Sequence, residues 1–155
     1  VKVARVKTAL EMEAAVSRAF PQSDVAVFSA AVSDYRPANP CDRKLKKGED
    51  DMELSHIELV RNPDILAGCG KEKRAGQVVV GFAAETCDLV GNARAKLSSK
   101  NADFIVANDV SCGRGFGADE NEVVFVSHAG ETRLPLESKR QVAEAILDEA
   151  KKFLK

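Results

Sequence analysis

The chain has 155 residues, a formal net charge of -1 and 45% hydrophobic residues. That length suits one cored domain and is too short for two domains of ordinary size, so we expect residues 1–155 to form a single domain. A net charge so close to zero provides no overall attraction to nucleic acid or to an anionic membrane, and any basic site must therefore be local. We predict neither a nucleic-acid nor a membrane partner.

The four cysteines form no CxxC pair, and the sequence shows no signal peptide and no apolar run of membrane-spanning length. This pattern is typical of reduced thiols in the cytoplasm, where we expect the protein to act. A zinc site is not expected, because the spacing of the cysteines and the two histidines matches no standard ligand pattern. The residues concerned are Cys41, Cys69, Cys87, Cys112, His56 and His128.

The first elements show strand and helix patterns in turn. VKVARV at 1–6 predicts a short strand. Thr8 and Glu11 have the spacing of a capping box, which predicts a helix from there to about Phe20. DVAVFSAA at 24–31 is a nearly continuous apolar run, typical of a strand covered on both faces.

The middle of the chain repeats this alternation. QVVVGFA at 77–83 and DFIVAN at 103–108 predict two more parallel strands. Asn62 as N-cap, followed by Pro63 at the first helical position, predicts the start of the helix before them. Apolar residues at helical spacing predict a helix between them, over about 88–100.

The remaining segments depart from this repeat. MELSHIELV at 52–60 alternates with a slip of one residue, which predicts a strand with a bulge. EVVFVS at 122–127 and ETRLPL at 131–136 predict an antiparallel hairpin. Ser138 and Gln141 then predict a capping box at the start of a last helix.

Together these elements predict an α/β fold. We expect a three-layer, Rossmann-like, mostly parallel sheet with helices on both faces, followed by the antiparallel hairpin and a helix. Such sheets bind ligands beyond the carboxyl ends of their strands. The loops there carry polar side chains that a plain connector does not need, although Asp and Asn are also common turn formers and caps. They are Asp34, Arg36, Glu85, Thr86, Asn108 and Asp109.

Two groups of cations could serve this crevice. Lys96 and Lys100 are four residues apart and lie on one face of the predicted helix, where a solvated lysine pair is the ordinary outcome. Residues 43–47 hold four cationic side chains within a predicted flexible lid at about 36–51. With Lys44, Lys46 and Lys47 nearby, the helical lysines would suit a polyphosphate.

The glycine-rich GRGFG at 113–117 is not predicted to bind phosphate, because no helix is predicted immediately after it. Neither GxGxxG nor GxxxxGK[ST] occurs in the chain. The residue patterns therefore indicate a crevice enzyme with a cationic lid, suited to a phosphorylated ligand, and go no further.

Six motifs, in this order and from about Thr8 onward, resemble phosphopantothenoylcysteine synthetase, the C-terminal half of the bifunctional bacterial coenzyme A biosynthesis protein. They are AAVSDYRP, KLKK, NPDIL, GFAAET, KLSSKNADFIVANDV and GFGADENEV. The resemblance implies a ligase that joins 4'-phosphopantothenate to cysteine at the expense of CTP, through an acyl-cytidylate, releasing pyrophosphate and CMP. It also implies a homodimer and Mg²⁺ as the triphosphate's counterion. FMN would serve only a fused decarboxylase half, which this sequence does not contain.

The resemblance also implies roles for individual residues. Lys44 matches the lysine considered catalytic in the family, and Asp34 is our candidate for a single Mg²⁺ ligand. The implied CTP-binding residues are Phe28, Ser29, Ala30, Asp34, Lys44, Pro63, Asp64, Ile65, Leu66, Phe82, Lys96 and Lys100.

The family's N-terminal portion, with its I-S-N-x-S-S-G-x-M-G stretch, has no counterpart in this sequence. We therefore expect the polypeptide as given to bind CTP without completing the ligation. Two other readings stay open: a fragment of a nicotinamide- or flavin-binding oxidoreductase, and a noncatalytic interaction module.

Overall fold

The computed structural model describes residues 1–111 and 119–154. The predictions for the GRGFG segment at 113–117 and for Cys112 concern residues outside the described ranges. The chain forms two compact units. The small unit comprises Val1–Ala15 and Ala31–Asp64, and the large unit comprises Val16–Ala30 and Ile65–Lys155.

The helices and strands alternate through most of the chain. The helices are α1 (Ala9–Ala19), α2 (Asp51–Ser55), α3 (Ile65–Glu72), α4 (Leu89–Lys100) and α5 (Lys139–Lys151), and a 3₁₀ turn covers Phe20–Gln22. The strands are β1 (Val25–Phe28), β2 (Tyr35–Pro37), β3 (Leu59–Arg61), β4 (Val78–Glu85), β5 (Phe104–Asp109), β6 (Glu120–Asn121), β7 (Val123–Ser127), β8 (Gly130–Arg133) and β9 (Glu137–Ser138).

The large unit is built on a five-stranded sheet in the order β1-β4-β5-β7-β8. Strands β1, β4 and β5 are parallel, with Phe28 beside Gly81 and Glu85 beside Asp109. The hairpin β7–β8 continues the sheet with antiparallel pairing. The sheet is thus mixed but mostly parallel, which confirms the predicted fold class.

The two faces of this sheet are covered by different helices. Successive side chains of a strand point to opposite faces, and here both sets are buried. Val79 and Ile105 pack with Ala93 and Leu97 of α4 on one face, where Cys69 of α3 also lies. On the other face, Val78, Val80, Phe104 and Val106 pack with Val142, Ile146 and Ala150 of α5. The predicted three layers are therefore present.

The helix starts that rest on local hydrogen bonds are confirmed. The Glu11 amide donates to Thr8 Oγ1 (3.1 Å), and the amides of Lys7 and Thr8 donate to Glu11 Oε2 (2.6 and 3.4 Å). At α5 the Ser138 side chain accepts from the Gln141 amide, and the Gln141 side chain accepts from the Ser138 amide. Each box satisfies backbone donors that the first turn of a helix leaves without partners.

In the small unit, β2 and β3 form an antiparallel pair with Arg36 opposite Val60. This ladder overturns one prediction, because residues 52–60 are not a single bulged strand. Residues Asp51–Ser55 form α2, and only Leu59–Arg61 is extended. The Asp51 side chain accepts a hydrogen bond from the Gly48 amide (2.7 Å). This local side-chain contact at the first residue of α2 favours a helical turn over an extended strand.

Three other predictions about elements were wrong. Residues 1–6 form no strand, because a strand needs a hydrogen-bonded neighbour and none is present in the described part of the chain. Strand β1 is not covered on both faces: it is the edge strand of the sheet, and Val27 is 42% exposed. Helix α3 begins at Ile65, three residues after the predicted cap at Asn62.

Candidate functional site

In the large unit the candidate site follows the carboxyl edge of the parallel strands. Because β1, β4 and β5 run in the same direction, their ends at Phe28, Glu85 and Asp109 lie at one edge of the sheet. Ser29 and Ala30 follow β1 directly, and both are exposed. This is the edge at which open α/β sheets bind their ligands.

A close approach of side chains over Gly81 positions the start of α3. A Cβ atom at Gly81 would lie 2.8 Å from both Leu66 Cδ2 and Ile105 Cδ1, so a side chain there would push Leu66 away. Phe28, the β1 neighbour of Gly81, packs on the same face as Leu66. These two predicted site residues therefore share one face of the sheet, and Ile65 precedes Leu66 as the first residue of α3.

Phe82 differs from these residues in its placement. Its side chain packs with the α5 face of the sheet, opposite to the face that carries Phe28 and Leu66. The cause is the two-residue period of β4, since Phe82 is the next residue after Gly81. The structure thus does not bring the Phe28 and Phe82 side chains together.

Lys96 and Lys100 lie at the margin of the buried stripe of α4. Ala93 and Leu97 are buried against the sheet, and at 100° per residue both lysines project within about 60° of Ala93. Both lysines are half-buried. Their apolar stems can then lie along the protein surface while the ammonium groups reach solvent, so the predicted common face is confirmed in geometry.

Both ends of α4 are anchored by side chains that sequence patterns did not single out. At its start, Asn92 Nδ2 donates to Glu85 Oε2 and to the Cys87 carbonyl oxygen (3.0 Å each), which ties the helix to the end of β4. At its end, Asn101 adopts a left-handed conformation (φ 49°) and its Nδ2 donates to the Gly70 carbonyl oxygen (2.7 Å). These contacts fix the segment that carries both lysines.

The small unit places Asp34 and the Pro63–Asp64 segment around one residue, Asn62. The Asn62 amide donates to the Asp34 carbonyl oxygen (2.8 Å), and Asn62 Nδ2 donates to the Ser33 carbonyl oxygen (2.8 Å). Asn62 was predicted as a helix cap, and its side chain is instead used by residues near the other strand of the β2–β3 pair. No local signal predicts this, because the two segments are 29 residues apart.

The basic loop, residues 38–50, is ordered around the carboxylate of Asp50. Arg43 donates to it twice (2.7 and 2.5 Å), and the Lys46 amide donates once (2.8 Å). The Arg43 guanidinium, followed by the Lys46 amide, lowers the pKa of Asp50 from 3.8 to about 2. Gly48 completes the turn at φ 90°, a conformation that L side chains rarely adopt.

The cations of the loop are partly neutralised by acids of the same loop. The Asp50 side chain is only 9% exposed and binds Arg43. Lys46 Nζ lies 3.4 Å from Glu49, and both side chains are exposed. Lys44 is exposed as well. Two of the four cations thus have carboxylate partners inside the loop.

Within residues 1–111 and 119–154, no three His, Cys, Asp or Glu side chains form a group that could hold a metal ion. Asp34 is exposed and offers a single carboxylate. Cys41, Cys69 and Cys87 form no disulfide, and burial, with a smaller effect of Glu72, raises the pKa of the Cys69 thiol. No helix in the described ranges has the length and hydropathy needed to cross a membrane.

Residues 1–154 match the model of the DNA/pantothenate metabolism flavoprotein C-terminal domain. The chain belongs to this family. A relative from Bacillus subtilis strain 168, the coenzyme A biosynthesis bifunctional protein CoaBC, is 45% identical over 146 residues, which is 93% of this chain and 35% of the relative. The chain therefore spans about a third of that protein's length.

Solved structures agree with this membership. The crystal structure of the C-terminal domain of a coenzyme A biosynthesis bifunctional protein CoaBC is 35% identical, with a TM-score of 0.73 over 94% of this chain and 62% of the other. A Cab2 mutant in complex with phosphopantothenate-cysteine shares the fold, with a TM-score of 0.66 at 16% identity over 96% of this chain and 52% of the other. The resemblance to the synthetase half of CoaBC, drawn from six motifs, is confirmed.

The predicted site residues are divided between the two units of this DNA/pantothenate metabolism flavoprotein C-terminal domain. The large unit holds Phe28, Ser29, Ala30, Ile65, Leu66, Phe82, Lys96 and Lys100. The small unit holds Asp34, Lys44, Pro63 and Asp64. Sequence patterns missed Asn92, Asn101 and Asp50, and misassigned Asn62. All four are polar residues whose partners are backbone groups or charges, a use that residue type alone does not reveal.

Proposed function

We propose that the chain is the nucleotide-binding part of a phosphopantothenate-cysteine ligase of coenzyme A biosynthesis that uses CTP. The observation that carries this proposal is the family match over residues 1–154. Two comparisons add to it: a relative is named as a bifunctional coenzyme A biosynthesis protein, and a structure that shares the fold was solved with phosphopantothenate-cysteine.

The proposed reaction has two steps. A carboxylate oxygen of 4'-phosphopantothenate attacks the α-phosphorus of CTP, and the bond from that phosphorus to the bridging oxygen breaks, which releases pyrophosphate. The amino group of cysteine then attacks the acyl carbon, CMP leaves with its phosphate oxygen, and the amine loses a proton. Phosphoryl chemistry of this kind depends mainly on positioning and on charge neutralisation.

Lysine side chains of the predicted site fit this requirement. Lys96 and Lys100 lie on one face of α4, in the second half of the helix, and we assign them to the triphosphate. Lys44 is exposed within the ordered basic loop, so its ammonium group is accessible to a ligand. We assign to Lys44 the stabilisation of the charge that develops during cytidylyl transfer. Lysine suits this role because it acts as a compact point charge.

The contacts to the nucleoside are assigned to backbone groups at strand and helix ends. Ser29 and Ala30 follow β1, and Pro63 and Asp64 precede α3. Backbone groups at such ends of strands and helices can contact a base edge or an anionic group. Phe28, Ile65, Leu66 and Phe82 then serve mainly to hold these backbones in place.

Mg²⁺ would reach this site with the triphosphate. Phosphate oxygens and water can supply most of its ligands, as is usual for Mg²⁺ in nucleotide sites. Asp34 is the one carboxylate we assign to it. The homodimer and the cytoplasmic location both stay predictions.

Calorimetric titration of the 155-residue chain with CTP, ATP and NADH in Mg²⁺ tests the proposal. We expect CTP to bind tightest, and its affinity to fall as salt is added, because lysine–phosphate contacts are screened. A preference for NADH would favour an oxidoreductase fragment, and no nucleotide binding would favour an interaction module. Either result would overturn the proposed function.

A further inference from the structure

The side chain of Asn62 joins two segments of the small unit that are distant in sequence. Its Nδ2 donates to the Ser33 carbonyl oxygen (2.8 Å), and its Oδ1 accepts from Arg36 Nη1 (3.2 Å). Its backbone amide donates to the Asp34 carbonyl oxygen (2.8 Å). Three polar groups of one residue thus bind three of the four residues from Ser33 to Arg36.

Arg36 completes this arrangement. The same Nη1 that donates to Asn62 also donates to the Arg61 carbonyl oxygen (2.6 Å), so Arg36 binds the end of β3 as well as Asn62. Both Arg36 and Asn62 are half-buried, whereas Asp34 is exposed. A charged donor makes these hydrogen bonds stronger than bonds between neutral groups.

The contacts go beyond what the β2–β3 ladder requires. The ladder runs from Tyr35 beside Arg61 to Pro37 beside Leu59, so it ends one residue before Asn62. Asn62 continues the pairing past the end of β3 and orients the backbone of Ser33 and Asp34. On its other side, Asn62 is followed directly by Pro63 and Asp64, whose backbone the proposed function assigns to the nucleotide.

We propose that Asn62, held by Arg36, is a positioning residue that sets the distance between Asp34 and the Pro63–Asp64 segment in the nucleotide site. This inference rests on the proposed function. The chemistry requires an amide at this position, because one group must be a donor and the other an acceptor. A carboxylate would keep the contact with Arg36 but would repel the Ser33 carbonyl oxygen.

Variants of the 155-residue chain test this role by CTP titration in Mg²⁺, with thermal unfolding measured alongside. We expect Asn62→Ala to weaken CTP binding by about tenfold, in proportion to the hydrogen bonds it removes. Asn62→Asp should weaken it at least as much. Gln22→Glu is the matched control, since it makes the same amide-to-acid change at an exposed site in the large unit and should leave CTP affinity unchanged.

Two further measurements separate positioning from general stability. If Arg36 acts through Asn62, the double variant Arg36→Ala/Asn62→Ala should bind CTP about as well as either single variant. The losses of affinity caused by substituting two residues in contact do not add. The salt dependence of CTP binding should be the same in Asn62→Ala and in wild type, since no charge is lost. Should Asn62→Ala not fold, Arg36→Gln replaces it: this variant removes the charged donor to Asn62 Oδ1, and it should weaken CTP binding in the same titration.

An Asn62→Ala chain with a lower Tm but unchanged CTP affinity would overturn the positioning role and leave the proposed function intact. Additive losses in the double variant would likewise overturn the pairing of Arg36 with Asn62. A wild-type chain that binds no CTP would overturn the proposed function itself, and the positioning role with it.

Discussion

In the basic loop, the carboxylate of Asp50 accepts three hydrogen bonds, two from Arg43 and one from the Lys46 amide. These donors favour the charged form, which is why the pKa of Asp50 is lowered from 3.8 to about 2. A lowered pKa means that the carboxylate stabilises the loop fully above pH 3.8, and that this stabilisation is lost as the pH falls through about 2. Order in the loop should therefore persist throughout the neutral range.

The Lys46 amide proton reports this titration directly. We expect its NMR resonance to shift with a midpoint near pH 2, because protonation of Asp50 weakens the hydrogen bond that this amide donates. In Asp50→Asn the shift should disappear, while Asp42→Asn, an exposed control in the same loop, should preserve it. A midpoint near 3.8 in wild type would show that Arg43 does not hold the carboxylate in solution.

Lys44 and Lys47 allow a second test at this scale, since both are exposed cations of the same loop. We expect Lys44→Ala to weaken CTP binding by about tenfold, because the lost charge contacts phosphate. Lys47→Ala should weaken it by less than about threefold, because that lysine contributes only to the local field. Titration calorimetry in Mg²⁺ compares the two, and equal losses would show that Lys44 has no special contact.

At the scale of elements, the packing of α3 against the end of α4 controls the position of Lys100. A Cβ atom at Gly70 would lie 1.9 Å from the Lys100 carbonyl oxygen, so the two backbones approach too closely for any side chain. Asn101 Nδ2 donates to the Gly70 carbonyl oxygen at the same contact (2.7 Å). The absence of a side chain at Gly70 is therefore a condition for the observed end of α4.

Gly70→Ala should move the end of α4. We expect it to lower the free energy of unfolding by about 1–3 kcal/mol, as overpacked sites do, and to weaken CTP binding because Lys100 is displaced. Gly68→Ala is a matched control in the same helix, where no atom lies within 4 Å of an added Cβ. There alanine should stabilise the chain by up to about 1 kcal/mol through helix propensity. Denaturant unfolding distinguishes the two, and equal changes would contradict the close approach.

At the scale of the whole molecule, a formal net charge of -1 makes any attraction of an anionic nucleotide a local effect. A pair of double variants separates local from global charge. Each double variant removes two positive charges: one is Lys96→Gln/Lys100→Gln, and the other is Lys151→Gln/Lys152→Gln. Lys151 is the last residue of α5 and binds Asp148 (2.7 Å), and Lys152 follows it and binds Glu149 (2.6 Å).

We expect the Lys96/Lys100 variant to weaken CTP binding by more than about tenfold and to reduce its salt dependence. The Lys151/Lys152 variant should stay within about twofold of wild type, because it removes the same net charge from positions outside the proposed site. Titrations at two salt concentrations measure both effects. Similar losses in the two variants would show that net charge, and not the α4 face, governs binding.

The elements that were predicted well depend on neighbours in sequence. The capping boxes at Thr8 and Ser138 join residues three apart, so the chain forms them whatever it packs against. The apolar runs of β4 and β5 were found because strands buried on both faces are apolar throughout. Two of the wrong predictions, at 1–6 and 52–60, concern segments whose pattern allows a strand but which lack a partner strand or form a helical turn instead.

For the candidate site, residue types and order along the chain were sufficient to identify the family and to predict the loops at the carboxyl edge of the sheet, whereas the binding roles of the α4 lysines stay predictions. Which of these residues share a face of the sheet, and which groups they bind, was decided only by the tertiary structure. The register of β1 on β4 places the Phe28 and Phe82 side chains on opposite faces of the sheet. The Asn62 side chain, predicted to cap a helix, donates instead to the carbonyl oxygen of Ser33, 29 residues earlier in the chain. The physical reason is that hydrogen-bond partners and strand neighbours come from distant parts of the chain, and a local pattern cannot specify which donor will meet which acceptor.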